Sequence, residues 1–148
     1  MNITRALFLH WTLTHYSHVW KVVEVAKELR KEGFEVFDSW ISPGPEADEF
    51  WRKYSKKRGL SHKEALKDWS AQHIYEFDKF HIDRCDIGVL VMPCGKSGHL
   101  ELGYMIGQGK PGFILFKEEP EKWDIMHNFA TDVFYSLDEL KKEIRRLK

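Results

Sequence analysis

The apolar residues of this chain fall into short blocks separated by stretches of helical period. Ala6-Leu7-Phe8-Leu9 is an apolar block that predicts a buried strand. Val19, Val22, Val23, Ala26, Leu29 and Arg30 follow at helical spacing, and Gly33 marks the end of that helix. Phe34-Glu35-Val36-Phe37 alternates like a second strand, and Ser42-Pro43-Gly44-Pro45 punctuates a loop. Phe50, Trp51 and Tyr54 in a polar stretch predict a short helix within an insertion around residues 43–60. Ser61 with Glu64 reads as a capping box opening one helix to Phe80, with Leu66, Trp69, His73, Ile74 and Phe77 on one face.

Asp86-Ile87-Gly88-Val89-Leu90-Val91-Met92 is nearly continuously apolar, as a strand covered on both faces requires. After Pro93-Cys94-Gly95-Lys96, Ser97 is placed to cap a helix running to about Gln108, where Gly109 stops it. Pro111 to Phe116 predicts a fourth strand, Trp123 to Phe129 a short helix, and Val133-Phe134-Tyr135 a fifth strand. Ser136 with Glu139 forms a second capping-box pattern before a terminal helix through Leu147.

Strands alternating with helices imply a parallel sheet with right-handed crossovers. The expectation is one α/β domain over residues 1–148, a flavodoxin-like/Rossmann-like five-stranded parallel sheet sandwiched by helices in the order 2-1-3-4-5. Such sheets bind ligands beyond the carboxyl ends of the strands, near the switch in strand order. That rule gathers His10 to Thr14, Ser39 to Pro45 and Met92 to Glu101 around one crevice.

Composition narrows the classes of function. Lys and Arg number 23 against 23 Asp and Glu, and this balance argues against a nucleic acid polymer as the main partner. The longest apolar stretch is far short of the roughly 20 residues that span a bilayer, and no secretory signal pattern opens the chain. Two cysteines, Cys85 and Cys94, are too few for a disulfide scaffold. A cytoplasmic protein is the expectation. The eight histidines include no HExxH and the cysteines no CxxC, so neither a metal nor another cofactor is expected.

Glu101 is the sharpest chemical candidate, in the first turn of the helix predicted to follow the most buried strand. A helix N-terminus favours its carboxylate form, which suits a nucleophile; a Glu that only complements the helix dipole is the commoner occupant of such a position. Asp78, late in the preceding predicted helix, opposes the dipole there, and either solvent or a function compensates it. Paired with Glu101 it would suit cleavage of a glycosidic bond, one carboxylate attacking while the other handles a proton. Gly95-Lys96-Ser97-Gly98 precedes a helix N-terminus, where backbone N–H groups hold anions, although tight turns explain its glycines as well. Trp11, beyond the first strand, could stack on a base, and Cys94 could serve as a thiol nucleophile or simply pack.

The segment Ser97-Gly98-His99-Leu100-Glu101-Leu102-Gly103-Tyr104, continued by Gln108-Gly109-Lys110-Pro111, resembles the nucleoside 2-deoxyribosyltransferase family, including its related nucleotide N-glycosidases. Asp78, Ile82 and Asp86-Ile87-Gly88-Val89 resemble the family's Asp-bearing helix leading into the central strand. The resemblance implies an enzyme that cleaves the N-glycosidic bond of a (deoxy)nucleoside or nucleotide and passes the sugar to another base or to water. Glu101 would attack C1′ and form a glycosyl-enzyme, Asp78 would assist proton transfer to the leaving base, and Ser97 and Gly98 would line the sugar or phosphate side. It further implies a homodimer or higher homo-oligomer whose neighbouring subunit completes the site through Asp124-Ile125-Met126.

Three departures from the family pattern stand out. Leu9-His10-Trp11-Thr12 replaces a glycine-bearing loop, so His10 and Trp11 imply a different base pocket. Gly95 stands where transferases often carry an Asp, which weighs against efficient base exchange. Asp124 replaces Ser or Asn and should repel a 5′-phosphate unless Lys96 or a protonated histidine offsets it, mildly favouring a 5′-hydroxyl. Two alternatives remain: a catalytically inactive nucleotide-binding module on the same fold, and a Cys94-dependent hydrolase.

Overall fold

The computed structural model describes residues 5–10, 19–38 and 47–147. The chain is an α/β fold, a parallel β-sheet flanked by helices. The order of elements is β1 (Arg5–His10), α1 (Val19–Lys31), β2 (Glu35–Asp38), α2 (Ala47–Lys57), α3 (His62–Ala65), α4 (Trp69–Arg84), β3 (Ile87–Val91), α5 (Lys96–Gly107), β4 (Gly112–Leu115), β5 (Asp132–Phe134) and α6 (Leu137–Arg146). A 3-10 turn, Ile125–Phe129, lies between β4 and β5. The strands pair β2-β1-β3-β4-β5, every ladder parallel.

The chain forms two compact units: Met1–Asp38 with Arg84–Lys148, and Ser39–Asp83. The sheet belongs to the first. All five residues of β3 and all four of β4 are buried, which is why both read as unbroken apolar runs. Period-two alternation sends Leu90 and Ile114 to one face, where they meet Leu102 of α5 and Phe116. Val89, Val91, Phe113 and Leu115 fill the opposite face.

Two glycines set how closely α5 lies on the sheet. A Cβ at Gly88 would stand 2.9 Å from Leu102 Cδ1, and one at Gly112 only 2.7 Å from Ile106 Cγ1. α1 and α5 both end on a glycine with positive φ, Gly33 at 84° and Gly109 at 79°. On α1, Arg30 reaches from the last turn to the buried Asp38 carboxylate at 3.1 Å and to the Val36 carbonyl at 2.9 Å. Glu32, just past α1, accepts from both Nε and Nη2 of Arg145, tying α6 to α1.

Several expected elements differ. The helix expected from Ser61 to Phe80 is broken into α3 and α4, and α4 continues to Arg84. The Ser61–Glu64 capping box forms. Beyond it, however, Asp68 takes the Ser70 N–H and hydroxyl, and Gln72 donates to the Leu66 carbonyl. These local bonds compete with helix continuation. They leave Leu66 and Trp69 exposed, while Ser70, Ala71 and Ile82 turn inward. Ser136 does start α6, but its side chain makes no capping bond. Only the last five residues of the helix expected over Trp123–Phe129 are helical, and they are 3-10. No described helix is long and apolar enough to cross a membrane.

Candidate functional site

The candidate site lies in the first unit, beyond the carboxyl end of β3. The chain leaves β3 through a cis Met92–Pro93 peptide bond and begins α5 at Gly95, which is extended. The Gly95 carbonyl holds the start of the helix, accepting the His99 N–H at 3.4 Å and the His99 ring Nδ1–H at 2.8 Å. A carbonyl only accepts, so this bond puts a proton on Nδ1. The His99 ring lies nearly parallel to that of His127, centroids 6.1 Å apart, and His127 meets Phe116 at 5.7 Å.

This arrangement corrects the expected cap. Ser97 is inside α5 rather than before it, because helical bonding starts at the Gly95 carbonyl. The shift moves Glu101 from the first turn to the second, and no acid stands in the first turn. The helix dipole acts on Glu101 less strongly there, since its effect fades within one turn. Glu101 is half-buried, and its Oε2 is shielded from solvent.

Cys94 stands at the same corner, packed against the Leu90–Leu102–Ile114–Phe116 cluster. Burial first, and the Glu101 carboxylate second, push its thiol up to about 12. A thiolate is the reactive form, so this placement opposes a Cys94 nucleophile and answers the expectation of a Cys94-dependent hydrolase. Cys85 is likewise pushed up to about 11 by burial.

The other expected site residues are spread over both units. Lys96 and Ser97 are exposed in the first turn of α5, and Gly98 beside them is buried. His10 pairs with Leu90 at the carboxyl end of the β1–β3 ladder. Trp11 and the loop segments 11–14 and 39–45 lie outside the described residues. Asp78 belongs to the second unit, on α4, where it is half-buried with Oδ1 shielded from solvent. The Asp124 carboxylate acts locally, accepting the Met126 N–H at 2.9 Å and capping the 3-10 turn. Around it Trp123, Ile125, Met126 and Phe129 all present exposed apolar side chains. His99 was not anticipated from the sequence; its position four residues after a helix-starting glycine is the only signal, and a weak one. Among the described residues no group of three or more His, Cys, Asp or Glu is placed to hold a metal ion.

No family model matches the chain, and no curated protein does. Solved structures do. A 2-deoxyribosyltransferase from Bacillus psychrosaccharolyticus superposes with a TM-score of 0.65 at 16% identity, covering 92% of this chain and 90% of its own. The CMP N-glycosidase of Clostridium botulinum gives 0.50 at 15% identity, covering 95% and 98%. A response regulator protein from Thermotoga maritima gives 0.52 at 16% identity, covering 98% and 99%. The fold is therefore the flavodoxin-like/Rossmann-like one that these proteins share. Enzymes and a signalling protein stand side by side among them, so the architecture alone does not select a chemistry.

Proposed function

We propose that this protein cleaves the N-glycosidic bond of a nucleoside or nucleotide, with Glu101 as the nucleophile. The observation that carries the reading is the Glu101 carboxylate itself. It stands on the helix that follows the central strand, half-buried beyond the strand's carboxyl end, in the region where this class of sheet binds ligands. A glycosyl transfer needs such a group: anionic, held by a rigid helix and shielded enough to react as a nucleophile. The fold shared with a 2-deoxyribosyltransferase and a CMP N-glycosidase supports the same reading.

In this mechanism a Glu101 carboxylate oxygen bonds to C1′ as the C1′–N bond breaks. The bonding pair leaves on the base nitrogen, which takes a proton. The resulting glycosyl ester is then opened by water or by a second base, and Glu101 is released. Asp78 is the proposed proton carrier for the leaving base, a role taken from the sequence resemblance. Lys96, Ser97 and Gly98 are the proposed sugar and phosphate side, and His10 and Trp11 the base side. The exposed Trp123, Ile125, Met126 and Phe129 support assembly as a homodimer through that segment. A cytoplasmic location belongs to the same reading.

The test is incubation with a panel of nucleosides and 5′-monophosphates, with and without an acceptor base, read by chromatography. Base release is expected, and Glu101→Gln should reduce it at least a thousandfold with an unchanged melting temperature. A 2′-fluoro-nucleoside should leave a covalent adduct on Glu101, read by mass spectrometry. Undiminished release by the variant overturns the role of Glu101. Ligand-dependent stabilisation without release by the parent protein would establish the binding-module reading instead.

A further inference from the structure

The zero net charge conceals an uneven surface on the second unit. Between Arg52 and Lys67 stand seven Lys and Arg residues against one acid, Glu64. All seven are exposed. Lys53 pairs with Glu49 at 2.6 Å and Arg58 with Asp68 at 2.8 Å. Arg52, Lys56, Lys57, Lys63 and Lys67 have no ion-pair partner among the described residues.

Exposed rings run through this basic surface. α2 turns Trp51 and Ser55 inward, which places Phe50, Lys53, Tyr54 and Lys57 on one outward stripe at i, i+3, i+4 and i+7. Tyr54 meets Trp69 edge-on with centroids 5.7 Å apart, and the Arg58 guanidinium lies 5.0 Å from the Tyr54 ring centre. Phe50 is 67% exposed, Tyr54 43% and Trp69 64%. The Arg58–Asp68 ion pair ties the end of α2 to the residue preceding α4, so rings and cations are held in one arrangement.

The chemistry of this surface selects its occupant. A second copy docked on the same face would press lysine against lysine, so charge complementarity demands an anion. An acidic peptide would satisfy the lysines and leave the rings uncovered. Membrane-surface helices segregate apolar and cationic residues to opposite faces, whereas here ring and cation alternate along one line. Duplex nucleic acid keeps its bases stacked inside. A single strand supplies phosphates for the lysines and base faces for the rings, the combination that sequence-tolerant single-strand binders use. We propose that the Phe50–Lys53–Tyr54–Lys57 stripe, continued by Trp69, is a docking surface for single-stranded nucleic acid. The proposal is independent of the chemistry assigned to Glu101.

Fluorescence anisotropy of the full chain with a labelled 15-nucleotide oligothymidylate, across 50 to 200 mM salt, tests it. Four or five phosphate contacts predict a slope of log affinity on log salt of about −3. Lys57→Glu should make that slope shallower by about 0.7. Trp69→Ala and, separately, Tyr54→Ala should weaken binding about tenfold without altering the slope, with circular dichroism and melting temperature unchanged for Trp69→Ala. Lys117→Glu, on the first unit, should leave binding as it is. Absence of binding at 50 mM salt overturns the proposal. So does binding that ignores Trp69 and is matched by polyglutamate, and so does tighter binding to phosphatidylserine vesicles than to the oligonucleotide.

Discussion

The Cys94 thiol lies within electrostatic reach of the Glu101 carboxylate, and burial together with that negative charge holds it up at about 12. Both groups occupy the corner where β3 passes into α5. Because a negative charge on Glu101 disfavours a second one beside it, Cys94 is held in its thiol form.

Native Cys94 should therefore resist alkylation. At pH 8 its thiolate fraction is about three orders of magnitude below that of a free cysteine. Iodoacetamide should leave Cys94 and Cys85 unmodified in the folded protein and label both in denaturant, as read by intact-mass spectrometry. Rapid labelling of native Cys94 would contradict its placement.

The approach of α5 to the sheet should be sensitive to single methyl groups. Gly112→Ala drives a Cβ to 2.7 Å from Ile106 Cγ1 and should destabilise by about 1–3 kcal/mol in denaturant titration. Gly103, on the same helix, has nothing within 4 Å of a Cβ. Gly103→Ala should then stabilise by roughly 0.5–1 kcal/mol through helix propensity. The two substitutions moving stability in the same direction would refute the packing described.

Acid should loosen α6 from α1. Hydrogen bonds from Arg145 and then Lys141 lower Glu32 from the ordinary carboxylate value of 4.5 to about 2. A carboxyl lowered by folding stabilises the folded state above its unfolded value, and that contribution is lost as pH falls through the folded one. Glu32→Gln should accordingly lower the melting temperature at pH 7. The gap from the parent protein should close as pH falls from about 4.5 towards 2, followed by calorimetry.

Local pattern located most elements. The buried runs from Ile87 and from Gly112 read as strands because both faces are covered, and Gly33 and Gly109 marked helix ends because a left-handed cap favours glycine. The Ser61–Glu64 box was recognisable for the same reason, its bonds spanning only three residues. Ser97 and Ser136 carry comparable signals, but α5 starts earlier, at Gly95, which leaves Ser97 inside the helix, and Ser136 precedes α6 without a side-chain capping bond.

What the sequence determined by itself was the alternation of apolar strands with amphipathic helices, a property of neighbours along the chain, and a segment around Glu101 whose resemblance to a known family is legible from its residues. Tertiary structure alone decided the rest. The Gly95 carbonyl, held by His99, sets where α5 starts and so which turn Glu101 occupies. The ties of Arg30 to Asp38 and of Arg145 to Glu32 join residues 8 and 113 positions apart. The edge-on contact of Tyr54 with Trp69 brings a ring of α2 against one of α4. These are relations through space: they depend on which side chains the fold brings together, and no periodicity along the chain encodes that.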